Sequence, residues 1–435
     1  MGKVRELEFA FDIASPYAYL ASKQIEGVAL RTGATLLWTP VLLEDLYNIN
    51  GRAKAGAATD SMPKEKIELM KQDLVLQAQH IGVELRQNDK HPIQTEAALC
   101  LLLVVPINLR PVLTHALFQA YWELNEDIAD ESVLAHIAQC YNVALPPVFD
   151  DSIKDQLHQN TIRLATMGAF GVPCFIVNEH FYWGQDRLFL VERALGNPAA
   201  KPRRILSNNQ QQPHTLVYYH DFGSHWSYLA SLQVAEVAKH CGASLVYKPF
   251  FLVGLFKLIG SPVEGITIYS PAEASHERKD FIDWSEYLCA QSKWPSVFPI
   301  RSILALRVAI CNENVTNAIY QAAWVENKEI AQPAVLFEVL SQAGFDAGAL
   351  LQQAQSQHVK EELRRRTNEV QELGGIGVPT FQVLDPEGKS VAILWGQDRL
   401  NIVADLLCGW RPRLDCRSLG PHASTTSKLF SKSKL

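Results

Sequence analysis

The sequence has no Cys-x-x-Cys pair. Its 8 cysteines lie scattered along 435 residues, without zinc-like spacing or a dense framework, so a motif disulfide is excluded, no structural metal site is expected, and most of the thiols are expected to be reduced and buried. Neither charge is in large excess. A formal net charge of -6 offers no basic face for nucleic acid. Long apolar runs are missing as well: the longest, Ala97 to Val105, stops at Pro106, too short to span a membrane. The start, Met1-Gly2-Lys3-Val4-Arg5-Glu6, lacks the apolar run of a secretion signal, so a cytoplasmic location is expected.

What the chain does have is itself, twice. Trp183-Gly184-Gln185-Asp186-Arg187-Leu188 returns letter for letter as Trp395-Gly396-Gln397-Asp398-Arg399-Leu400. Other words return in the same order. Phe11-Asp12-Ile13-Ala14-Ser15-Pro16-Tyr17-Ala18-Tyr19-Leu20 is answered by His220-Asp221-Phe222-Gly223-Ser224-His225-Trp226-Ser227-Tyr228-Leu229, Pro92-Ile93-Gln94-Thr95 by Pro299-Ile300-Arg301-Ser302, and Gly171-Val172-Pro173 by Gly377-Val378-Pro379. The offset drifts only from 202 to 212, so the copies differ by short loop changes and function must be assigned per copy. The length suits two domains of about 200 residues. Residues 1–196 are read as copy one and 215–410 as copy two. The Pro-, Asn- and Gln-rich stretch 197–214 is the expected linker, and the Ser-rich, basic 411–435 an expected disordered tail.

Within copy one, Leu7 to Phe11 reads as a strand, and Ser15-Pro16 sets a capping hydroxyl before a proline suited to a first helical turn. Ala34 to Pro40 reads as a second strand, parallel to the first. From Pro63 to Gly168 apolar residues recur at spacings of three and four, which predicts helices. Pro173 to Val177 and Phe181 to Trp183 then flank Asn178-Glu179-His180 as a hairpin, and a last helix starts at Asp186, with Asp186 (Asp398 in copy two) as its N-cap. Trp183 is expected in the core. Cys174, where copy two has Thr380, is read as a buried small side chain.

This order, strand-helix-strand, a helical insertion, then Val-Pro, a hairpin and a helix, is that of a thioredoxin fold. The Ser15-Pro16-Tyr17-Ala18-Tyr19-Leu20 start, the Gly168 to Pro173 word and Trp183-Gly184-Gln185-Asp186-Arg187-Leu188 together resemble the 2-hydroxychromene-2-carboxylate isomerases, relatives of the kappa-class glutathione transferases and of the DsbA-like thioredoxins. The expected fold is therefore α/β: two tandem thioredoxin-like domains, each with a helical insertion.

The resemblance also implies a ligand, glutathione. In the slot of the redox cysteines stand Ser15-Pro16-Tyr17-Ala18 and Ser224-His225-Trp226-Ser227. A hydroxyl at a helix start, where unpaired amides and the helix dipole favour an anion, suits a bound thiolate. Ser15 is the expected catalytic group; its other reading is a plain helix cap. By resemblance, Pro173 and Pro379 match the cis-proline of the fold, Val172 and Val378 offer backbone to the tripeptide, and Asp186 grips its ammonium with help from Gln185 and Arg187. Asn50 and Lys66 match residues that hold carboxylates. Copy two keeps Ser224, Val378, Pro379 and Asp398. It carries Glu273 in the place of Lys66 and Gly260-Ser261-Pro262 in that of Asn50-Gly51, so it is expected to have lost or altered its chemistry, a glutamate there repelling an anion.

The implied activity is a glutathione-dependent cis-trans isomerisation of a small conjugated aromatic carboxylate. A kappa-like glutathione transferase and a non-catalytic binding protein are the alternatives. The duplication, an intramolecular version of a dimer, favours a monomer.

Overall fold

The computed structural model describes residues 5–51, 62–146, 148–205, 213–261 and 270–412; most of the expected tail and the middle of the expected linker lie outside these. The described chain separates into two compact units, one within residues 5–51 and 70–201, the other within 62–69 and 202–411.

The first unit opens with β1 (Glu6–Phe11) and, after a turn at Asp12, α1 (Pro16–Thr32). Ser15 is the N-cap of α1: its hydroxyl accepts the Ala18 amide at 3.2 Å, and Pro16 fills a first-turn position that needs no N–H. Ala18, Ala21, Ile25, Val28 and Ala29 form the buried face. Gly33, at φ 65, takes the left-handed conformation that closes the helix. β2 (Thr35–Pro40) then runs parallel to β1. α2 (Leu43–Ile49) comes next, ahead of the section read as helical; that section contains α3 (Lys64–Ile81), of which Met70 onward belongs to this unit, α4 (Glu96–Val104), α5 (Arg110–Trp122), α6 (Glu131–Cys140) and α7 (Asp151–Thr166).

β3 (Cys174–Val177) and β4 (His180–Trp183) complete the sheet in the order β2-β1-β3-β4, before α8 (Leu188–Ala194). The hairpin turn is shorter than its sequence reading. Asn178 and Glu179, at φ 51 and 65, make it alone, and His180 pairs with Val177 inside the ladder. Two left-handed residues match the strand twist, which a three-residue turn need not do.

The second unit repeats the plan: β5 (Thr215–His220), α9 (His225–Ser231), α10 (Val234–His240), β6 (Ser244–Pro249), α11 (Leu252–Leu258) and α12 (Pro271–Tyr287). After these come α13 (Ile303–Cys311), α14 (Thr316–Trp324), α15 (Pro333–Gln342), α16 (Ala347–Gln353), α17 (Gln357–Glu372), β7 (Thr380–Leu384), β8 (Ser390–Trp395) and α18 (Leu400–Leu407). Its sheet order is β6-β5-β7-β8. The continuous α1 of the first unit is here divided into α9 and α10.

One buried carboxylate fixes the turn that follows β1. Asp12 accepts the Ala14 amide at 2.9 Å with one oxygen and the Leu43 amide, at the start of α2, at 2.8 Å with the other. Asp221 repeats this with Gly223 at 2.9 Å and Leu252 at 3.0 Å. Burial pushes both carboxyls up from their ordinary range, and the two amides pull against it. Beside them the indole N–H of Trp122 donates to Ile13 O at 2.8 Å, and that of Trp324 to Phe222 O at 2.9 Å.

Removing the Asp12 carboxylate orphans two amides, each costing about 1–3 kcal/mol when buried. Asp12→Ala is therefore expected to destabilise the first unit by about 3 kcal/mol in urea unfolding, with Asp12→Asn, which keeps an acceptor, losing less. A loss under about 0.5 kcal/mol would show that water replaces the carboxylate.

Candidate functional site

In the first unit the site is built where α1 begins. The Ser15 hydroxyl, 3% exposed, accepts the Ala18 amide and donates to Val172 O at 3.1 Å. The Val172-Pro173 peptide is cis, as is Val378-Pro379 in the second unit. So the helix start and the turn before β3, 157 residues apart in sequence, meet through one side chain. The capping and ligand readings of Ser15 are compatible: the cap uses an oxygen lone pair, and the proton remains to be redirected.

The loop that carries Val172 is held from both sides. Asn50, just past α2, donates from Nδ2 to Ala169 O at 3.1 Å and to Leu46 O at 2.8 Å. Trp183 lies over Gly171, where an added Cβ would fall 2.9 Å from the indole nitrogen, and its ring meets Phe170 at 4.8 Å between centroids. Trp183 is 38% exposed, so it is not the core residue its sequence reading made it. It sits at the end of the edge strand β4, opposite Cys174. Cys174 itself is buried and donates to Gly171 O at 3.0 Å; burial pushes its thiol far up, which makes it inert.

The Gln185–Arg187 segment is a single 3-10 turn ahead of α8. Asp186 does not cap α8, contrary to the sequence reading; Arg187 holds the cap position and makes no side-chain cap bond. The cause is Gly184, whose φ of 96 turns the chain so that the Asp186 carboxylate folds back over it, 2.8 Å from where a Cβ would stand, and meets Arg187 Nη1 at 2.8 Å. The second unit behaves alike, with Asp398 and Arg399 at 3.2 Å. Gln185 accepts from Gln24 Nε2 of α1 at 3.1 Å and donates to Gln77 of α3, which donates in turn to Asp73. Lys66 stands half-buried in the first turn of α3, in the stretch 62–69 that belongs to the second unit, and none of these bonds reaches it.

The structure thus joins Ser15, Val172, Pro173 and Asn50, and separately Gln185 with α1 and α3. Gln24, Gln77, Gly171 and Asp12 were not singled out from the sequence as site-forming. A signal existed for the last two, since both lie in words that occur twice.

The second unit keeps the backbone and changes the side chains. Ser224 still accepts the amide three residues on, that of Ser227, at 3.2 Å. The position of Asn50, one past the helix, belongs to Ile259 rather than to Gly260, which matches Gly51 at the same φ of 68; Pro262 lies outside the described residues. Ile259 packs with Ile376 and Val378, so an apolar contact replaces the amide that held the loop. Glu273 closes a capping box at the start of α12, its carboxylate accepting the Ser270 amide at 2.9 Å, so it serves that helix start rather than standing bare against an anion. Trp284 stands four residues after Asp280 where Gln77 follows Asp73, and Gln397 Nε2 is buried without a hydrogen-bond partner among the described residues.

His225 replaces Pro16. Its ring is buried among Trp226, Phe281, Trp294 and Trp324, with Nε2 3.3 Å from Glu277. Beneath it, Phe9, Phe11 and Phe118 of the first unit become Tyr218, His220 and Tyr320. The Tyr218 hydroxyl donates to Ser227 O at 2.5 Å, and His220 Nδ1 lies 3.1 Å from the Tyr320 hydroxyl.

Both halves match one family model, the DSBA-like thioredoxin domain, over residues 6–196 and 215–408, and the chain belongs to that family. Among characterised relatives, glutathione S-transferase kappa 2 of Caenorhabditis elegans is 26% identical over 44% of this chain and 90% of its own length. The 2-hydroxychromene-2-carboxylate isomerase of Pseudomonas putida is 24% identical over 44% of this chain and 94% of its own. A solved 2-hydroxychromene-2-carboxylate isomerase overlays 44% of this chain and 94% of its own at 21% identity and a TM-score of 0.37. These relatives are about half as long as this chain. Among the described residues no helix is long and apolar enough to cross a membrane, and no group of three or more His, Cys, Asp and Glu side chains could hold a metal ion.

Burial lowers both His220 and His225 to about 3, so each is neutral in the fold at neutral pH and the His225–Glu277 contact is no ion pair there. The folded values lie below the unfolded one, about 6.5. Their stabilising contribution is whole above that value and is lost as pH falls from about 6.5 toward about 3, at roughly 1.4 kcal/mol per histidine per pH unit. His220→Phe, the first unit's solution, is expected to flatten the acid limb of the unfolding curve. An unchanged limb would mean that His220 is already protonated in the fold.

Proposed function

We propose that the first copy is a glutathione-dependent cis-trans isomerase of the 2-hydroxychromene-2-carboxylate isomerase type, and that the second has lost this chemistry. The observation that carries the reading is the Ser15 hydroxyl, poised between the start of a 17-residue helix and the carbonyl of the cis Val172-Pro173 peptide. No second thiol stands in that slot, so a sulfur bound there has no disulfide partner in the motif and remains a nucleophile.

The hydroxyl swings its proton from Val172 O to the glutathione sulfur and stabilises the thiolate, aided by the positive end of the helix dipole. The sulfur adds to the conjugated double bond, and the electron pair moves onto the conjugated carbonyl. The former double bond rotates as a single bond. The pair then returns, the carbon–sulfur bond breaks, and the thiolate leaves unchanged. Asp186, with Gln185 and Arg187 beside it, would take the glutamyl ammonium, and Asn50 the carboxylates of tripeptide or substrate. Asn50 already spends Nδ2 on Ala169 O, which makes it a support of the loop whether or not it also touches ligand.

A kappa-like transferase would use the same thiolate but release a thioether, so the fate of glutathione separates the two. Calorimetric titration of reduced glutathione into the intact protein tests both the ligand and the asymmetry. One site is expected. Ser15→Ala should weaken it and lower turnover by about 10²-fold, the usual cost of one hydrogen-bond donor at a developing charge, while Ser224→Ala leaves both unchanged. Two sites would restore the second copy; no binding at millimolar ligand would leave a non-catalytic binding protein.

A further inference from the structure

Two thiols of the second unit touch. Cys241 follows α10 and Cys408 follows α18, and their sulfurs lie 3.3 Å apart, 3% and 5% exposed. Each precedes a left-handed glycine, Gly242 and Gly409, that ends its helix. The first unit has the same two helix ends, before Gly33 and Gly196, but fills them with Thr32 and Leu195. The pair is therefore a feature of one copy and not a requirement of the fold.

Its surroundings distinguish the two sulfurs. Arg204 reaches Cys408 Sγ with Nη2 at 3.6 Å and is itself held by Asp405 at 2.8 Å, the other oxygen of which accepts the Ile205 amide at 2.8 Å. Cys241 faces the Ala404 carbonyl at 3.5 Å, and burial together with Cys408 beside it pushes its thiol up to about 12.

We propose that Cys241 and Cys408 form a reversible dithiol–disulfide pair, closed by a small disulfide oxidant such as glutathione disulfide. The Cys408 thiolate attacks one sulfur of the oxidant, the sulfur–sulfur bond breaks, and one thiolate leaves. Cys241 gives its proton to that thiolate and attacks Cys408 Sγ, expelling the second thiol. Two protein thiols are oxidised, one external disulfide is reduced to two thiols, and the proton from each cysteine ends on a released sulfur. The protein sulfurs need close by only about 1.2 Å to reach bonding distance. The new bond would tie α10 to α18 at their C-terminal ends. The opposite ends of these segments adjoin Ser224, through α9, and the Gln397–Arg399 turn, so the cross-link would brace both sides of the second copy's site.

The test treats the intact, reduced protein with excess glutathione disulfide, alkylates the remaining thiols, and reads intact mass and peptide maps. The expected product has lost two hydrogens, shows a Cys241–Cys408 linked peptide, unfolds about 5 °C higher, and reverts with a thiol reductant. Cys241→Ser should trap Cys408 as a stable mixed disulfide with glutathione. If both cysteines of the wild type alkylate fully after oxidation, or link instead to Cys289 or Cys311, the pairing is wrong. Cys408→Ala serves as a second variant if Cys241→Ser does not fold, and should leave Cys241 unmodified because its attacking partner is gone.

Discussion

The buried carboxylate at the end of the first strand is the constraint on which each unit's site depends. Asp12 holds the turn before Ser15 and the first amide of α2 at once, and Asp221 does the same for Ser224 and α11. Without it the hydroxyl would still cap its helix, but that helix would not be indexed to the loop that supplies Asn50. A carboxylate suits this task because it accepts in two directions from amides that lie in different segments. Its burial is costly, and the amides and the neighbouring hydroxyls of Thr95 and Ser302 offset that cost.

The two copies show what this frame demands and what it leaves open. Both keep the aspartate, the tryptophan that donates to the turn, the cis proline, and the glycine that admits an indole: an added Cβ at Gly377 would lie 2.6 Å from Trp395 Nε1. These residues answer to backbone geometry. The groups that would answer to a ligand differ. Pro16 has become His225, Asn50 has become Ile259, and the glutamine relay beside the Trp-Gly-Gln-Asp-Arg-Leu turn is cut where Trp284 replaces Gln77.

Much of this was legible in the sequence because repetition acts as an internal control. The duplicated words located the helix start, the cis-proline turn and the closing helix before any coordinate, and periodicity alone placed the helical insertion. What stayed hidden shares one property: it depends on the direction in which a side chain leaves a particular backbone. The left-handed Gly184 turns Asp186 away from the cap position, an edge strand leaves Trp183 half covered, and one residue of register decides whether Ile259 or Gly260 stands where Asn50 does. A pattern of letters carries residue type and spacing but not that direction. Glu273 is the sharpest case, since its charge invites an electrostatic reading while its place three residues after Ser270 makes it a capping box.

The interior of the second unit bears on how far it has moved. Three stacked and tilted phenylalanines under the first unit's helix start need no partners, whereas Tyr218, His220 and Tyr320 must satisfy one another, and His220 Nε2 is left without a hydrogen-bond partner among the described residues. Such a network gives little net stability over apolar packing and makes the fold sensitive to acid. It does reach the surface of the site, because the Tyr218 hydroxyl binds the carbonyl of Ser227, in the helix that Ser224 caps. A polar column ending under an altered site is hard to account for as packing alone, since phenylalanine fills the same positions in the same frame. The second copy is thus not a worn version of the first; its interior and its surface have changed together, on a backbone that the shared aspartate continues to fix.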